Sequence, residues 1–337
     1  MPEMHEALFY NRLKGKIVQC CLCRRQCAID DGETGKCGVR KNVEGKLYSL
    51  VYGRTLTMSI DPIEKKPLFH FKPGSQCMGV STYGCNFFCL HCQNWQISQQ
   101  RSEQAIAAVP FTSPKEIVEQ ALGAGVEGIA YTYTEPTVFA EYALDTMKLA
   151  RKKGLYNVWV SNGYMSKECI DAVAPFLDAI NVDLKGNALF YRDVCGSVKI
   201  EFIKENIAYL HKKKIRMEIT NLIVLGYNDK ERDFREVAEF IAGLSPLVPV
   251  HFTRFWPMHK MPHLPPTDAG KLYRAREIAL EKGLKYVYTG NLGQEESTKC
   301  PKCNSTLIKR SGFSAKPLGL ENAGKCKKCH FKTGIML

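Results

Sequence analysis

Gly84-Cys85-Asn86-Phe87-Phe88-Cys89-Leu90-His91-Cys92-Gln93-Asn94 sets three cysteines in a C-x3-C-x2-C spacing on one short loop. Three thiolates can hold a cubane iron–sulfur cluster and leave one iron without a protein ligand. Such clusters ordinarily take four cysteines, so the missing fourth is the informative part. An open iron can chelate a substrate through an amine and a carboxylate. A zinc loop, or three unligated core cysteines, is the rival reading of the same spacing.

Outward from that loop the chain reads strand, loop, helix, repeated. Residues 76–82 form a short strand, and the cysteine loop follows its C-terminal end. Ser113-Pro114-Lys115-Glu116 reads as a helix start, with Ser as N-cap and Pro in the first turn. Gly123-Ala124-Gly125 stops that helix. Further strands are predicted at 128–132, 157–160, 179–183, 216–224, 250–255 and 285–288. Helices are predicted at 137–153, 201–213, 230–242 and 268–282. Strands alternating with helices of this length imply a parallel α/β sheet. Six or seven such units match an open, partial (β/α)6 barrel better than a closed eightfold one.

In a barrel of this type the chemistry sits where strands end and the following loops begin. Those positions hold Tyr131-Thr132-Tyr133-Thr134-Glu135-Pro136, Ser161-Asn162-Gly163-Tyr164, Asp183-Leu184-Lys185 and Gly226-Tyr227-Asn228. Later in the chain come His251, Arg254 and Pro257, then Gly290-Asn291. Singly, a Glu before a Pro is a loop carboxylate and an Asp after a strand is a helix cap. Their recurrence at one barrel end predicts a shared pocket.

Two attachments flank the barrel. Residues 1–50 open with a helix-like segment and then carry Cys20, Cys23, Cys27 and Cys37, a C-x2-C-x3-C-x9-C set on a glycine-containing loop. Four soft ligands fit tetrahedral zinc or a closed cubane, and Cys21 is an alternative to Cys20. A structural site or an electron relay suits this position better than direct chemistry. Residues 46–59 alternate polar and apolar and suggest a hairpin into the main domain, taken as 51–295. Residues 296–337 form a zinc-ribbon-like module, with Cys300 and Cys303 separated by 22 residues from Cys326 and Cys329. Two such knuckles meet around one tetrahedral zinc; rubredoxin-like iron is the chemical rival.

The 337 residues carry fifteen cysteines, eleven of them in these three groups, which favours metal binding in a reducing compartment over disulfides. No run approaches a membrane span, and the start lacks a basic region followed by an apolar one, so a cytoplasmic protein is expected. The formal charge of +13 falls to about +8 once the thiolates of three loaded sites are counted. Residues 299–337 hold nine Lys or Arg against one acid, Glu321. That excess suits a nucleic-acid backbone or an acidic protein, or is simply a solvated lysine-rich surface. No aromatic stacking pattern accompanies it.

The cysteine loop resembles the signature of the radical S-adenosylmethionine superfamily, over roughly residues 75–292. The resemblance implies a [4Fe–4S] cluster on Cys85, Cys89 and Cys92, with S-adenosyl-L-methionine chelated at the open iron. Reductive cleavage would yield a 5′-deoxyadenosyl radical that takes hydrogen from a substrate. Glu135 falls where the family's Gly-Gly-Glu contacts the methionyl amino group, although the paired glycines are absent here. Ser161, Asn162 and Asp183 fall where the family binds ribose. Asp183-Leu184-Lys185 is similar to the Asp-Leu-Lys of glycyl-radical-enzyme activating enzymes, where it faces the cofactor. His91 takes the place where many members put an aromatic against adenine. Lys185, His251 and Arg254 would neutralise carboxylate or phosphate groups at the mouth, with His251 better read as a satisfied strand-end histidine. Tyr131 and Tyr133 would line the pocket or pack it, and Cys195 reads as buried and structural.

A narrower resemblance covers nearly the whole chain. The four-cysteine loop, Asp61-Pro62-Ile63-Glu64-Lys65-Lys66-Pro67, Cys92-Gln93-Asn94-Trp95 and Tyr131–Pro136 as quoted resemble the radical enzyme of the AmmeMemoRadiSam system. His251-Phe252-Thr253-Arg254-Phe255 and Thr289-Gly290-Asn291 add to it. It implies association with Memo-like and AMMECR-like proteins and a flavodoxin, ferredoxin or reductase as electron donor. Alternative readings are a glycyl-radical-enzyme activase, a tRNA-modifying enzyme, and a metal-dependent binding protein without radical chemistry.

Overall fold

The computed structural model describes residues 4–293 and 295–337. Met1-Pro2-Glu3, part of the start read as lacking a leader, lies outside the described residues. The chain opens not with the expected helix but with strands β1 (His5–Glu6), β2 (Tyr10–Arg12), β3 (Val18–Cys20), β4 (Ala28–Ile29), β5 (Arg40–Val43) and β6 (Lys46–Ser49). They form two small sheets in the orders β1-β6-β5 and β2-β3-β4. Tertiary pairing overrides the local helical reading, because Tyr10, Asn11 and Arg12 pair with Cys20, Gln19 and Val18. The hairpin expected at 46–59 lies earlier, β5 with β6, closed by Glu44-Gly45. Both turn residues have positive φ, 52° and 79°, as a two-residue primed turn requires.

The barrel elements follow in chain order. They are β7 (Thr57–Pro62), β8 (Gln76–Ser81), α1 (Trp95–Ser98), α2 (Glu103–Ala107), α3 (Pro114–Gly123), β9 (Gly128–Tyr131) and α4 (Ala140–Lys152). Next come β10 (Tyr156–Ser161), α5 (Lys167–Val173), β11 (Ala179–Asp183), α6 (Ala188–Asp193), α7 (Ile200–Lys212) and β12 (Arg216–Ile223). The last are α8 (Glu231–Leu244), β13 (Val250–Arg254), α9 (Ala269–Glu281) and β14 (Val287–Gly290). One sheet takes all eight strands in the order β14-β13-β12-β11-β10-β9-β8-β7, the partial barrel expected. β8, β9 and β10 pair in parallel, as do β11 to β14. All four residues of β9 are buried, as a parallel strand covered on both faces must be.

Ser113 caps α3 as expected. Its hydroxyl accepts from Glu116 N at 3.2 Å, and Glu116 Oε2 accepts from Ser113 N at 2.6 Å. The helix predicted from 137 begins only at Ala140, because a 3-10 turn, Pro136–Phe139, precedes it.

The chain divides into two compact units. The first comprises residues up to Ile60, Cys77–Asp178 and Glu201–Ile215. A fully buried ion pair sits inside it, with Arg40 Nη1 and Nη2 each 2.9 Å from a Glu141 oxygen. The second comprises Asp61–Gln76, Ala179–Ile200 and Arg216–Leu337. It ends in an antiparallel sheet of β15 (Thr298–Lys299), β16 (Thr306–Ser311) and β17 (Ser314–Pro317). A small core of Cys300, Leu307, Ile308, Leu320, Cys326 and Ile335 closes beneath that sheet. Among the described residues, no helix is long and apolar enough to cross a membrane.

Candidate active site

The three-cysteine loop leaves the end of β8 inside the first unit. Gly84 opens it at φ +95°, and a Cβ there would lie 2.6 Å from Val39 Cγ1 and 3.0 Å from the Cys37 carbonyl oxygen. Only glycine satisfies both the conformation and the contact. Backbone groups then point at sulfur: Phe87 N donates to Cys85 Sγ at 3.4 Å. Ser98 Oγ lies 3.2 Å from Cys92 Sγ. Asn94 Nδ2 donates to Tyr133 O at 2.8 Å and fastens the loop to the one after β9. Cys89 and His91 are buried. Burial, then the nearby Glu135 carboxylate, pushes the Cys85 thiol well above its ordinary value. The three sulfurs of this loop are a candidate ligand set for a metal centre.

Glu135, Ser161 and Asn162 meet at one point in the same unit, and all three are buried. Glu135 Oε1 accepts from Ser161 Oγ at 2.8 Å, Thr137 N at 3.1 Å and Thr137 Oγ1 at 2.5 Å. Oε2 accepts from Asn162 N at 2.8 Å and keeps capacity for another donor. Burial raises the Glu135 carboxyl, against the Asn162 N–H and the Thr137 and Ser161 hydroxyls. Asn162 Nδ2 reaches across to Asn86 Oδ1 at 2.7 Å, joining this carboxylate cluster to the cysteine loop. Tyr131 belongs to the packing, fully buried with its hydroxyl donating to Asn157 Oδ1 at 3.2 Å. Tyr133 is partly exposed at φ +67°.

The second unit holds the remaining candidates. Lys185 Nζ donates to Asp183 Oδ2 at 2.7 Å, and its backbone N–H donates to Tyr191 Oη at 2.8 Å. Cys195 is fully buried, in keeping with a structural role. His251 belongs to a buried network: its Nε2 lies 2.7 Å from Glu218 Oε2, and its ring stacks on Tyr288 at 5.2 Å. Glu218 Oε1 accepts from His70 N at 2.6 Å, and His70 Nε2 meets Tyr288 Oη at 2.7 Å. Burial opposes the Glu218 carboxylate, but His251 and His70 outweigh it and hold it below the usual range. His251 is thus a strand-end histidine with its partners inside this network. Arg254 lies over the Trp256 ring at 4.6 Å.

The two four-cysteine groups differ in shape. Cys300, Cys303, Cys326 and Cys329 bring their sulfurs within 4.8 Å of one another, with Cys300–Cys329 at 3.5 Å and Cys303–Cys326 at 3.6 Å. Zinc with Zn–S bonds of about 2.3 Å asks for a tetrahedron with edges of about 3.8 Å, so a single ion fits. The Ser305 hydroxyl holds the Cys303 and Cys326 thiols below their ordinary values. In the first unit, Cys20, Cys23, Cys27 and Cys37 line one enclosed cavity. Cys21, the residue after β3, is not among those lining the cavity, and Asn11 Nδ2 donates to its sulfur at 3.3 Å. Burial pushes the Cys23 thiol up to about 12 and that of Cys37 to about 11.

Sequence reasoning passed over Asn86, Arg40, Glu141 and Arg101. Asn86 occupied a variable position inside the cysteine motif. The signal for Glu141 was a carboxylate on the apolar face of its helix, and its partner lies 101 residues away.

A partial parallel barrel with a three-thiol loop at the end of its first parallel strand defines an iron–sulfur enzyme. The chain belongs to the Radical SAM superfamily, whose profile matches residues 80–241. It is a radical SAM enzyme, distantly related to proteins like the pyruvate formate-lyase activating enzymes. An uncharacterized protein of Methanocaldococcus jannaschii is 45% identical over 340 residues, covering 99% of this chain and 100% of the relative. A putative glycyl-radical enzyme activating enzyme of the same organism is 25% identical over 211 residues, covering 59% of this chain and 75% of the relative. Among solved structures, a radical SAM methyltransferase from Sphaerobacter thermophilus shares the fold at TM-score 0.52 and 18% identity, over 66% of this chain and 68% of that one.

Proposed function

We propose that this enzyme holds a [4Fe–4S] cluster on Cys85, Cys89 and Cys92 and binds S-adenosyl-L-methionine at the open iron. Together, when bound, they supply a 5′-deoxyadenosyl radical for hydrogen abstraction from a substrate. The observation that carries the reading is the junction of Glu135, Ser161 and Asn162 with the cysteine loop through Asn86. Glu135 Oε2, which keeps capacity for another donor, would accept the methionyl ammonium, and by the family resemblance Ser161 and Asn162 would serve the ribose and His91 the adenine. The C-terminal thiolates hold zinc, supported by their spacing.

The test is anaerobic. Reconstituted, reduced protein is given S-adenosylmethionine, and 5′-deoxyadenosine is quantified beside the Cys89→Ala variant. Product from the wild type alone supports the reading. Absence of product together with absence of S-adenosylmethionine binding sinks it.

The quoted motifs further favour the AmmeMemoRadiSam system, with Memo-like and AMMECR-like proteins as partners and a flavodoxin, ferredoxin or reductase as electron source. Fifteen free cysteines suit a cytoplasmic setting. A second reading, glycyl-radical-enzyme activase, draws on the 25%-identical relative, a putative glycyl-radical enzyme activating enzyme. It requires a partner protein that acquires a glycyl radical signal when mixed with this enzyme and cofactor.

A further inference from the structure

We propose that Cys20, Cys23, Cys27 and Cys37 hold a second, fully cysteine-ligated [4Fe–4S] cluster, and that it is the electron relay to the three-cysteine loop. The relay part rests on the function proposed above; the cluster itself does not. The four cysteines ring one cavity together with Arg40 and Asn86. Among the described residues, only the C-terminal group draws its sulfurs within 4.8 Å of one another. The N-terminal thiols surround a space instead of converging on a point. A single zinc needs convergence at about 3.8 Å. A cubane sets its four terminal thiolates at the corners of a larger tetrahedron.

The cavity wall supplies a second, independent observation. Asn86 is 1% exposed, and its side chain lies beside the Cys23 thiol with Nδ2 meeting no nitrogen or oxygen acceptor among the described residues. Arg40 is equally buried; its two terminal nitrogens are taken by Glu141, yet its Nε is orphaned. Arg101 packs on Gly38, next to Cys37, and both of its terminal nitrogens are buried without a partner among the described residues. Orphaned buried donors are costly. The bridging sulfides of a cubane are acceptors that a zinc tetrathiolate lacks, and hydrogen bonds to cluster sulfur tune its potential.

The two thiol sets also share a wall. Asn86 follows Cys85 directly and lines the N-terminal cavity. Gly84 precedes Cys85 and lies against the Cys37 carbonyl. A low-potential donor of the ferredoxin or flavodoxin class gives one electron to the N-terminal cluster, taking its core from 2+ to 1+. Transfer onward restores 2+ there and leaves the centre at Cys85, Cys89 and Cys92 one electron richer. No proton or leaving group is involved.

The test counts iron, acid-labile sulfide and zinc in anaerobically loaded full-length protein, with Cys23→Ser/Cys37→Ser and Cys85→Ala/Cys89→Ala/Cys92→Ala variants beside it. The expected wild-type content is about eight irons and about one zinc per chain. Each variant should lose about half the iron and sulfide, and only the Cys23/Cys37 variant should keep an electron-paramagnetic signal that changes on adding S-adenosylmethionine. About two zincs and half the iron in the wild type would overturn the proposal. If the Cys85/Cys89/Cys92 variant keeps all its iron while the Cys23/Cys37 variant loses its share, the second cluster stands and the function above falls. A further readout needs no cysteine variant: the fully reduced wild type should show spin–spin splitting between two clusters, and two uncoupled signals would refute the relay. Asn86→Ala, with every ligand present, should keep the iron and shift the midpoint potential of the N-terminal cluster. An unchanged potential also counts against the shared wall.

Discussion

Asn162 donates from its side chain to Asn86 Oδ1 at 2.7 Å and from its backbone to Glu135 Oε2 at 2.8 Å. One residue therefore holds the three-cysteine loop and the Glu135 carboxylate in a single register. A change at 162 removes both side-chain alignment and a buried hydrogen bond.

Asn162→Ala should cost about 1–3 kcal/mol of stability, the usual penalty for leaving buried partners unmet. It should also slow 5′-deoxyadenosine formation on the order of tenfold to a hundredfold, because small misplacements at a reacting centre are costly. Urea denaturation and a product time course on equally iron-loaded samples check both. Unchanged turnover would remove Asn162 from the site.

The Arg40–Glu141 pair is sealed from solvent, with both side chains 1% exposed. Arg40→Ala should destabilise the protein by about 3–5 kcal/mol, because the Glu141 carboxylate is left buried and alone. Arg40→Met with Glu141→Leu should recover most of that loss. Denaturation midpoints of the two variants against wild type decide it. A double variant as weak as the single one would mean that the pair does more than neutralise itself.

Two buried groups of the second unit give opposite pH dependences. Burial, with Glu218 opposing and Arg310 adding to it, lowers His70 from 6.5 to about 3. Its contribution is complete above pH 6.5 and is lost as pH falls toward 3. Burial raises Glu64 from 4.5 to about 7, against the Arg310 charge, so its contribution is complete below pH 4.5 and is lost as pH rises toward 7. Between pH 4.5 and 6.5 the two slopes oppose, and wild-type stability should be nearly flat there. Glu64→Gln should expose a rise with pH, and His70→Gln a fall, each approaching about 1.4 kcal/mol per pH unit. Denaturation series across pH 4–7 test the signs; equal slopes in all three proteins would refute the assignment.

The C-terminal sheet rests on a core of a few side chains, two of them cysteine ligands. Stripping the zinc proposed for this site with a chelator should melt that module, since a core so small gains much of its stability from a bound metal. The release of about one zinc per chain, followed with a colorimetric indicator, should coincide with protease sensitivity of residues 298–337. Cys326→Ser should reproduce the effect without chelator. A protease-resistant, zinc-free module would show that the strands hold unaided.

The barrel was legible because its signals are local. Ser113-Pro114 and the glycines at 123 and 125 mark the ends of α3, and the apolar runs of β9 and β11 mark buried strands. Residues 5–12 misled because their strands exist only through pairing with segments up to 44 residues away, as His5 does with Ser49. Cys300, Cys303, Cys326 and Cys329 were readable from spacing alone. The choice between Cys20 and Cys21 was not, since it depends on which face of β3 turns toward the cavity. The partners of Glu135 were candidates one by one. That they bind one another is a fact of three dimensions.

At Gly84 one loop touches the other through main chain, its Cα facing the Cys37 carbonyl with no side chain between them. The approach of the two cysteine-bearing loops is thereby set by a main-chain contact that a β-carbon at position 84 would push apart. In the relay proposed above, the length of the electron's path would follow from that one backbone approach, and so from the glycine that permits it.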